Sequence, residues 1–157
     1  MIISTKGRYA LRVMVDLAEH PSDGFTPLQE IADRLHISKE YLNSILKLLV
    51  KHNQLTSLRG KGGGYRLNNP PETYRVGTIL RIVEDNMAPV ACVQEDHQCP
   101  NAVQCRSYGM WKALDDMIND YFDNIYLTDF LENGRFAPAA SSMDEDTCPS
   151  IARSAVS

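Results

Sequence analysis

Three thiols fall within fourteen residues of the stretch "ACVQEDHQCPNAVQCRSYGMW": Cys92, Cys99 and Cys105, separated by six and then five residues. Sulfur at that density suits a metal centre, a disulfide or a redox group. Structural zinc sites usually pair cysteines about two to four residues apart, tighter than either gap here. Iron–sulfur clusters take thiolates from loops and accept several spacings. Spacing by itself leaves cluster and zinc open. The neighbouring Glu95 and Asp96 disfavour thiolate formation, so metal binding must drive the deprotonation. His97 in the same stretch is a candidate fourth ligand; Cys148, far along the chain, is a weaker one.

The compartment narrows these choices. The N-terminal stretch "MIISTKGRYALRVMVDLAEH" has basic residues but no apolar block ending in a small-residue cleavage site, so it reads as mature protein. No apolar run approaches the length needed to cross a bilayer. A cytoplasmic protein with no membrane partner is expected, and there thiols stay reduced, which weighs against a disulfide. A length of 157 residues allows one compact core, or one domain plus a dimerisation element. The net charge of −4 is uneven: residues 1–75 hold eleven Lys/Arg against seven Asp/Glu, and residues 76–157 hold five against thirteen. A positive first half suits a polyanion, which the acidic second half would repel.

The elements ahead of the thiols have the matching pattern. Tyr9, Leu11, Val13, Met14, Leu17 and Ala18 cluster at helical spacing, and "HPSDG" stops the helix. In "TPLQEIADRL" Thr26 is the expected N-cap, with Pro27 at the first helical position and Gln29 completing a capping box. The short turn "HIS" leads to Ser38, which caps "KEYLNSILKLLVKHN". Tyr41, Leu42, Ile45, Leu48 and Leu49 face inward there, while Lys39, Glu40, Asn43, Ser44, Lys47 and Lys51 face out. Two helices joined so tightly make a helix-turn-helix, whose second helix enters the major groove. Ser38, Glu40, Asn43 and Ser44 suit base edges, Asn pairing well with adenine. An αα-hairpin with a solvated face is the alternative.

The next segment favours DNA. "QLTSLRGKGGGYRL" reads as a β-hairpin whose tip carries Arg59 and Lys61, with Arg66 nearby. Gly62 and Gly63 let the backbone approach phosphate, and the cations neutralise it. No phosphate-loop pattern and no helix directly after the glycines support a nucleotide site. A helix-turn-helix followed by a basic hairpin is a winged helix. A loop, "NNPPETYR", and a short helix, "VGTILRIVED", close the domain. Beyond the thiols, Met110, Trp111, Leu114, Met117, Ile118, Tyr121, Phe122 and Ile125 form a helical stripe longer than a compact winged helix can cover, so a dimer contact is expected.

The chain resembles the bacterial winged-helix iron–sulfur transcriptional regulators of the IscR and NsrR type. The likeness rests on "STKGRYAL", "ISKEYLNSILKLL", "LRGKGGGYRL" and three cysteines ahead of a long helix, and spans residues 1–132. It implies a homodimeric, DNA-binding regulator whose operator affinity depends on a bound cluster, with Tyr9, Ser38, Asn43 and Arg59 touching DNA. Two family ligands differ here. The IscR-like branch has a histidine three residues after the third cysteine, where this chain has Tyr108. The NsrR-like branch takes a carboxylate from the partner's first helix, where this chain has Arg8.

The resulting expectation is a mainly α chain with a small β-hairpin wing. Residues 1–75 form the winged helix-turn-helix, 76–106 a linking helix and cluster loop, 107–132 a dimerisation helix and turn, and 133–157 a mobile tail. Cys92, Cys99 and Cys105 would hold a [2Fe-2S] or [4Fe-4S] cluster, and the partners would be double-stranded operator DNA and a second copy of the chain. The alternatives are a cluster-free repressor controlled by thiol oxidation or a partner protein, and a metal or iron–sulfur carrier not acting on DNA. No nucleophile or acid–base constellation marks an enzyme.

Overall fold

The computed structural model describes residues 3–94 and 99–136. Five helices and one hairpin follow one another: α1 (Thr5–Glu19), α2 (Leu28–Leu35), α3 (Lys39–Lys51), β1 (Leu55–Leu58), β2 (Gly64–Leu67), α4 (Val76–Val83) and α5 (Tyr108–Asp123). Single 3-10 turns at Pro71–Thr73, Ala91–Val93 and Leu127–Phe130 punctuate the connections. Ser4 caps α1 by accepting from the Gly7 amide, and Ser38 caps α3 by accepting from Tyr41, each satisfying a donor the helix cannot satisfy itself.

The cap of α2 departs from the sequence expectation. Pro27 occupies the capping position and no side chain caps the helix. Thr26 is instead buried against the wing, its N–H donating to Tyr65 O at 2.9 Å and its C=O accepting from Tyr65 N at 2.8 Å. Its backbone works as a third, one-residue strand. Gln29 accordingly turns to Asp33, 2.6 Å away, and no capping box forms. α2 stops where His36 takes a left-handed conformation and Ile37 N donates to Ala32 O at 3.1 Å. That turn buries Ile37 and swings the chain into α3.

Val13 and Met14 of α1, Ile31 of α2, Leu42, Ile45, Leu46 and Leu49 of α3, Leu55 of β1, Ile79 of α4 and Leu127 are fully enclosed in one core. Leu46 joins the inward set named above. A polar lock ties α1 to α2: Arg34 donates from Nε and Nη2 to the buried Asp16 carboxylate at 2.8 and 2.7 Å. The Tyr74 hydroxyl accepts from the amides of Asn68 and Asn69 and donates to Gln54 O at 2.9 Å, fastening the base of the hairpin.

α5 is held more lightly. Its C-terminal half meets α4 through Arg81, which donates to both Asp123 oxygens and to Asn119. Phe122 and Ile125 pack into a second cluster with Val76, Leu80 and Met87. The apolar stripe therefore divides, Phe122 and Ile125 facing the chain's own α4. Met110, Leu114, Met117 and Tyr121 stand exposed along the other side, and no residue of α5 is buried. Phe136 returns to Asp129 O through its N–H and lays its ring 5.3 Å from Phe130. The rest of the expected tail, with Cys148, lies outside the described residues.

Candidate DNA interface and cysteine site

The register of the wing decides which side chains share a face. Ser57 pairs with Tyr65 and Thr56 with Arg66, so Tyr65 and Arg66 project from opposite faces of the hairpin. Tyr65 turns toward α3, where its hydroxyl donates to Asn43 Oδ1 at 3.3 Å. Arg66 turns away and lies over the Phe25 ring at 4.8 Å, so it does not join the basic tip as the sequence suggested. The tip itself turns through Gly60 and Gly62, both at positive φ, a conformation that side chains disfavour. Gly64 is required for a different reason: a Cβ there would collide with the Thr26 carbonyl.

Between α3 and the wing runs a cleft of about 440 Å³, lined by Asn43 and Lys47 on one wall and Leu58, Arg59, Gly63 and Tyr65 on the other. Ser38, Glu40 and Ser44 are exposed at the N-terminal end of α3, and Arg59, Lys61 and Gly62 at the hairpin tip. The Ser44 hydroxyl donates to Tyr41 O at 2.6 Å, which leaves its oxygen free only to accept. Tyr9 of α1 meets Tyr41 edge-to-face at 5.8 Å, and Arg12 stacks on Tyr9 at 5.4 Å. Of the anticipated residues, Asn43, Arg59 and Gly63 line this cleft, Ser38, Glu40 and Ser44 lie along the start of α3, Lys61 and Gly62 lie at the hairpin tip, and Tyr9, on α1, meets α3 only through Tyr41. Lys47 and Tyr65 were missed as cleft residues. Lys47 follows Asn43 by one turn and was readable as such; Tyr65 depended on the register.

The thiols lie in the connection between α4 and α5. Cys92 sits in the 3-10 turn against α5, Cys99 follows the undescribed segment 95–98, and Cys105 precedes α5. His97, with Glu95 and Asp96, falls in that segment and is outside the described residues. Cys92 and Cys99 line one cavity of about 520 Å³ with Ala102, Tyr108, Lys112, Asp115, Asp116 and Asn119. Cys105 is exposed and is not among its lining residues. The Ser107 hydroxyl, 3.3 Å from Cys105 Sγ, holds that thiol below its ordinary pKa, helped by the Ser107 and Tyr108 backbones. Among the described residues no three His, Cys, Asp or Glu side chains converge closely enough to hold a metal ion. Tyr108, at the family's histidine position, lines the cavity; Arg8 is exposed and donates to Thr5 Oγ1 at 3.0 Å.

A helix-turn-helix with a basic glycine hairpin beside its second helix defines a winged-helix protein of the DNA-binding kind. A family model described as Rrf2, iron-dependent transcriptional regulator, matches residues 3–133, and the chain belongs to that family. It is 33% identical to the HTH-type transcriptional regulator IscR of Pectobacterium atrosepticum over 147 residues, covering 94% of this chain and 89% of that one. Its fold is similar to CymR of B. subtilis, described as the global cysteine regulator, with a TM-score of 0.65 at 32% identity, covering 81% of this chain and 93% of CymR. T. potens IscR is similar at a TM-score of 0.64 and 30% identity, covering 81% of this chain and 83% of that one. The chain is a DNA-binding transcriptional regulator by this membership, and no helix among the described residues is long and apolar enough to cross a membrane.

Proposed function

We propose that the chain acts in the cytoplasm as a homodimeric regulator, binding a two-fold operator through α3 and the wing, with occupancy set by an iron–sulfur cluster on Cys92, Cys99 and Cys105. The observation that carries this reading is the placement of Cys92 and Cys99 on one cavity against α5, with the exposed Cys105 just ahead of that helix. The donor set suits the group in part: thiolate sulfurs are its ordinary ligands, two share a cavity, and the third lies one loop away. A bound cluster would supply a centre sensitive to oxidants and to nitric oxide. The protein's own part is to link the thiols to the element that spaces two recognition helices, since half-sites are read at fixed separation. The fourth ligand is neither of the two family types, because Tyr108 and Arg8 occupy those positions.

Protein prepared without oxygen should contain iron and acid-labile sulfide, and Ala at Cys92, Cys99 or Cys105 should remove both, whereas Cys148→Ala should not. Stoichiometric zinc without sulfide, with DNA binding unchanged in the triple Ala variant, would overturn the cluster. Dimerisation rests on the exposed row Met110, Leu114, Met117 and Tyr121, spaced four, three and four residues apart as in a helical seam. Met117→Glu should give monomers by sedimentation, since a charge placed there would be desolvated; a wild-type monomer at micromolar concentration would end this part of the reading.

The second reading is a cluster-free thiol switch. It is favoured by the exposed, acidified Cys105, because the thiolate is the reactive form, and by the likeness to CymR of Staphylococcus aureus, solved in an oxidized form (TM-score 0.61, 32% identity, covering 81% of this chain and 93% of that one). Iron and sulfide at background levels, with operator binding lost on peroxide treatment and restored by dithiothreitol, would select it.

A further inference from the structure

We infer that Tyr65, a wing residue, sets how sharply Asn43 discriminates adenine from guanine by holding its side-chain amide across the cleft. The inference rests on the proposal that α3 enters the major groove and extends it to the chemistry of one contact. Tyr65 Oη donates to Asn43 Oδ1 at 3.3 Å, twenty-two residues away in sequence. Both residues are half-buried and line the same cleft. The tyrosine is not free to follow the asparagine. Its backbone is paired on one side with Ser57 and on the other with Thr26, at 2.8 and 2.9 Å, and the preceding Gly64 lets those strands meet.

An unrestrained Asn presents a donor and an acceptor together, which matches adenine's N7 acceptor and N6 donor in the major groove. Here Tyr65 engages Oδ1, a carbonyl oxygen with two lone pairs, so one lone pair stays available beside the N–H donors of Nδ2. Held this way, the amide keeps the donor-and-acceptor edge that matches adenine, whereas guanine's two acceptors, N7 and O6, would set an acceptor against Oδ1. Asn43 is the reading residue, and Tyr65 is a positioning residue acting through it. The preference is for adenine over guanine, and the Tyr65 contact fixes the amide that makes it.

The probe is a pool of randomised duplexes, from which the full-length protein selects its own sequence at fixed ionic strength. Every base pair of that sequence is then substituted in turn and rebound to wild type, Asn43→Ala, Tyr65→Phe and the double variant. Asn43→Ala should flatten the preference at one symmetric pair of positions, where wild type prefers adenine to guanine. Tyr65→Phe keeps the ring and releases the carbonyl, and should cut the adenine-over-guanine ratio at those positions by about threefold to tenfold, as expected for one neutral hydrogen bond. In the double variant the two effects should not add.

Three results overturn the inference. One is a Tyr65→Phe effect that weakens every sequence equally, which would make Tyr65 a structural or phosphate contact. Another is an unchanged ratio, or guanine preferred by wild type. The third is an Asn43→Ala variant that keeps all base preferences while Arg59→Ala loses binding, which leaves DNA recognition standing without this contact. Selection of no sequence at all would remove the DNA-recognition reading and this inference together.

Discussion

α3 and α5 are both amphipathic, thirteen and sixteen residues long, yet they meet opposite fates. α3 buries Leu42, Ile45, Leu46 and Leu49 completely, because α1, α2, α4 and the hairpin surround it. No residue of α5 is fully buried within this chain, and Met117 is 69% exposed. The helix proposed to read base edges is thus fixed by its own fold, as such a site requires. The helix beside the thiols has one apolar side left over, available to a second copy. A rigid reader joined to a lightly held element is a workable division for a regulator, since small rearrangements at an interface can change the spacing of two readers without deforming either.

The contrast is broken most forcefully at the core. Ile45→Ala should lower unfolding free energy by about 3 kcal/mol, the middle of the range for truncating an enclosed aliphatic, while Met117→Ala should change the monomer by no more than about 0.5 kcal/mol. Denaturant melts of the two variants compare them directly; equal losses would mean that α5 is as tightly held as α3. Asp16→Ala should cost about 2 kcal/mol, because it removes two charge-assisted hydrogen bonds from the Arg34 guanidinium, whose pKa Asp16 raises, and leaves it paired with Glu30 alone. Its readout is thermal unfolding, and a loss below about 1 kcal/mol would show that α1 and α2 are held by packing alone.

A smaller effect is expected on DNA. Arg59→Ala should weaken operator binding by about 1–3 kcal/mol if its guanidinium meets a base edge, with no change in unfolding, since the residue is exposed at the hairpin tip. Binding to the selected duplex at two salt concentrations checks it; a variant as tight as wild type would detach the wing from recognition. Smallest is the tie between α4 and α5. Hydrogen bonds from Arg81 hold Asp123 below the usual carboxylate pKa. A carboxylate with a lower pKa folded than unfolded stabilises above the ordinary range, and its contribution fades as pH falls through the folded value. Both partners are partly exposed, so Asp123→Asn should cost under about 1 kcal/mol at neutral pH and still less in acid. Melts at the two pH values test the sign.

Much of this molecule was legible in its residues. The helices, the capping Ser38, the outward row of α3 and the glycine hairpin follow from periodicity and turn chemistry, which act between near neighbours. The thiol cluster was visible as types and spacing for the same reason. What the chain alone could not settle were contacts between distant segments. Thr26 has a capping residue's chemistry, but pairing with Tyr65 claims its backbone for the sheet. Arg66 belongs to a basic tip by position, but the alternation of β2 turns it onto Phe25. The α5 stripe looked like one surface until α4 took Phe122 and Ile125. Asn43 could be named as a base reader from its type and place. Only the register of the hairpin, which brings the Tyr65 hydroxyl to its carbonyl, shows what holds its amide, because that hydrogen bond spans twenty-two residues.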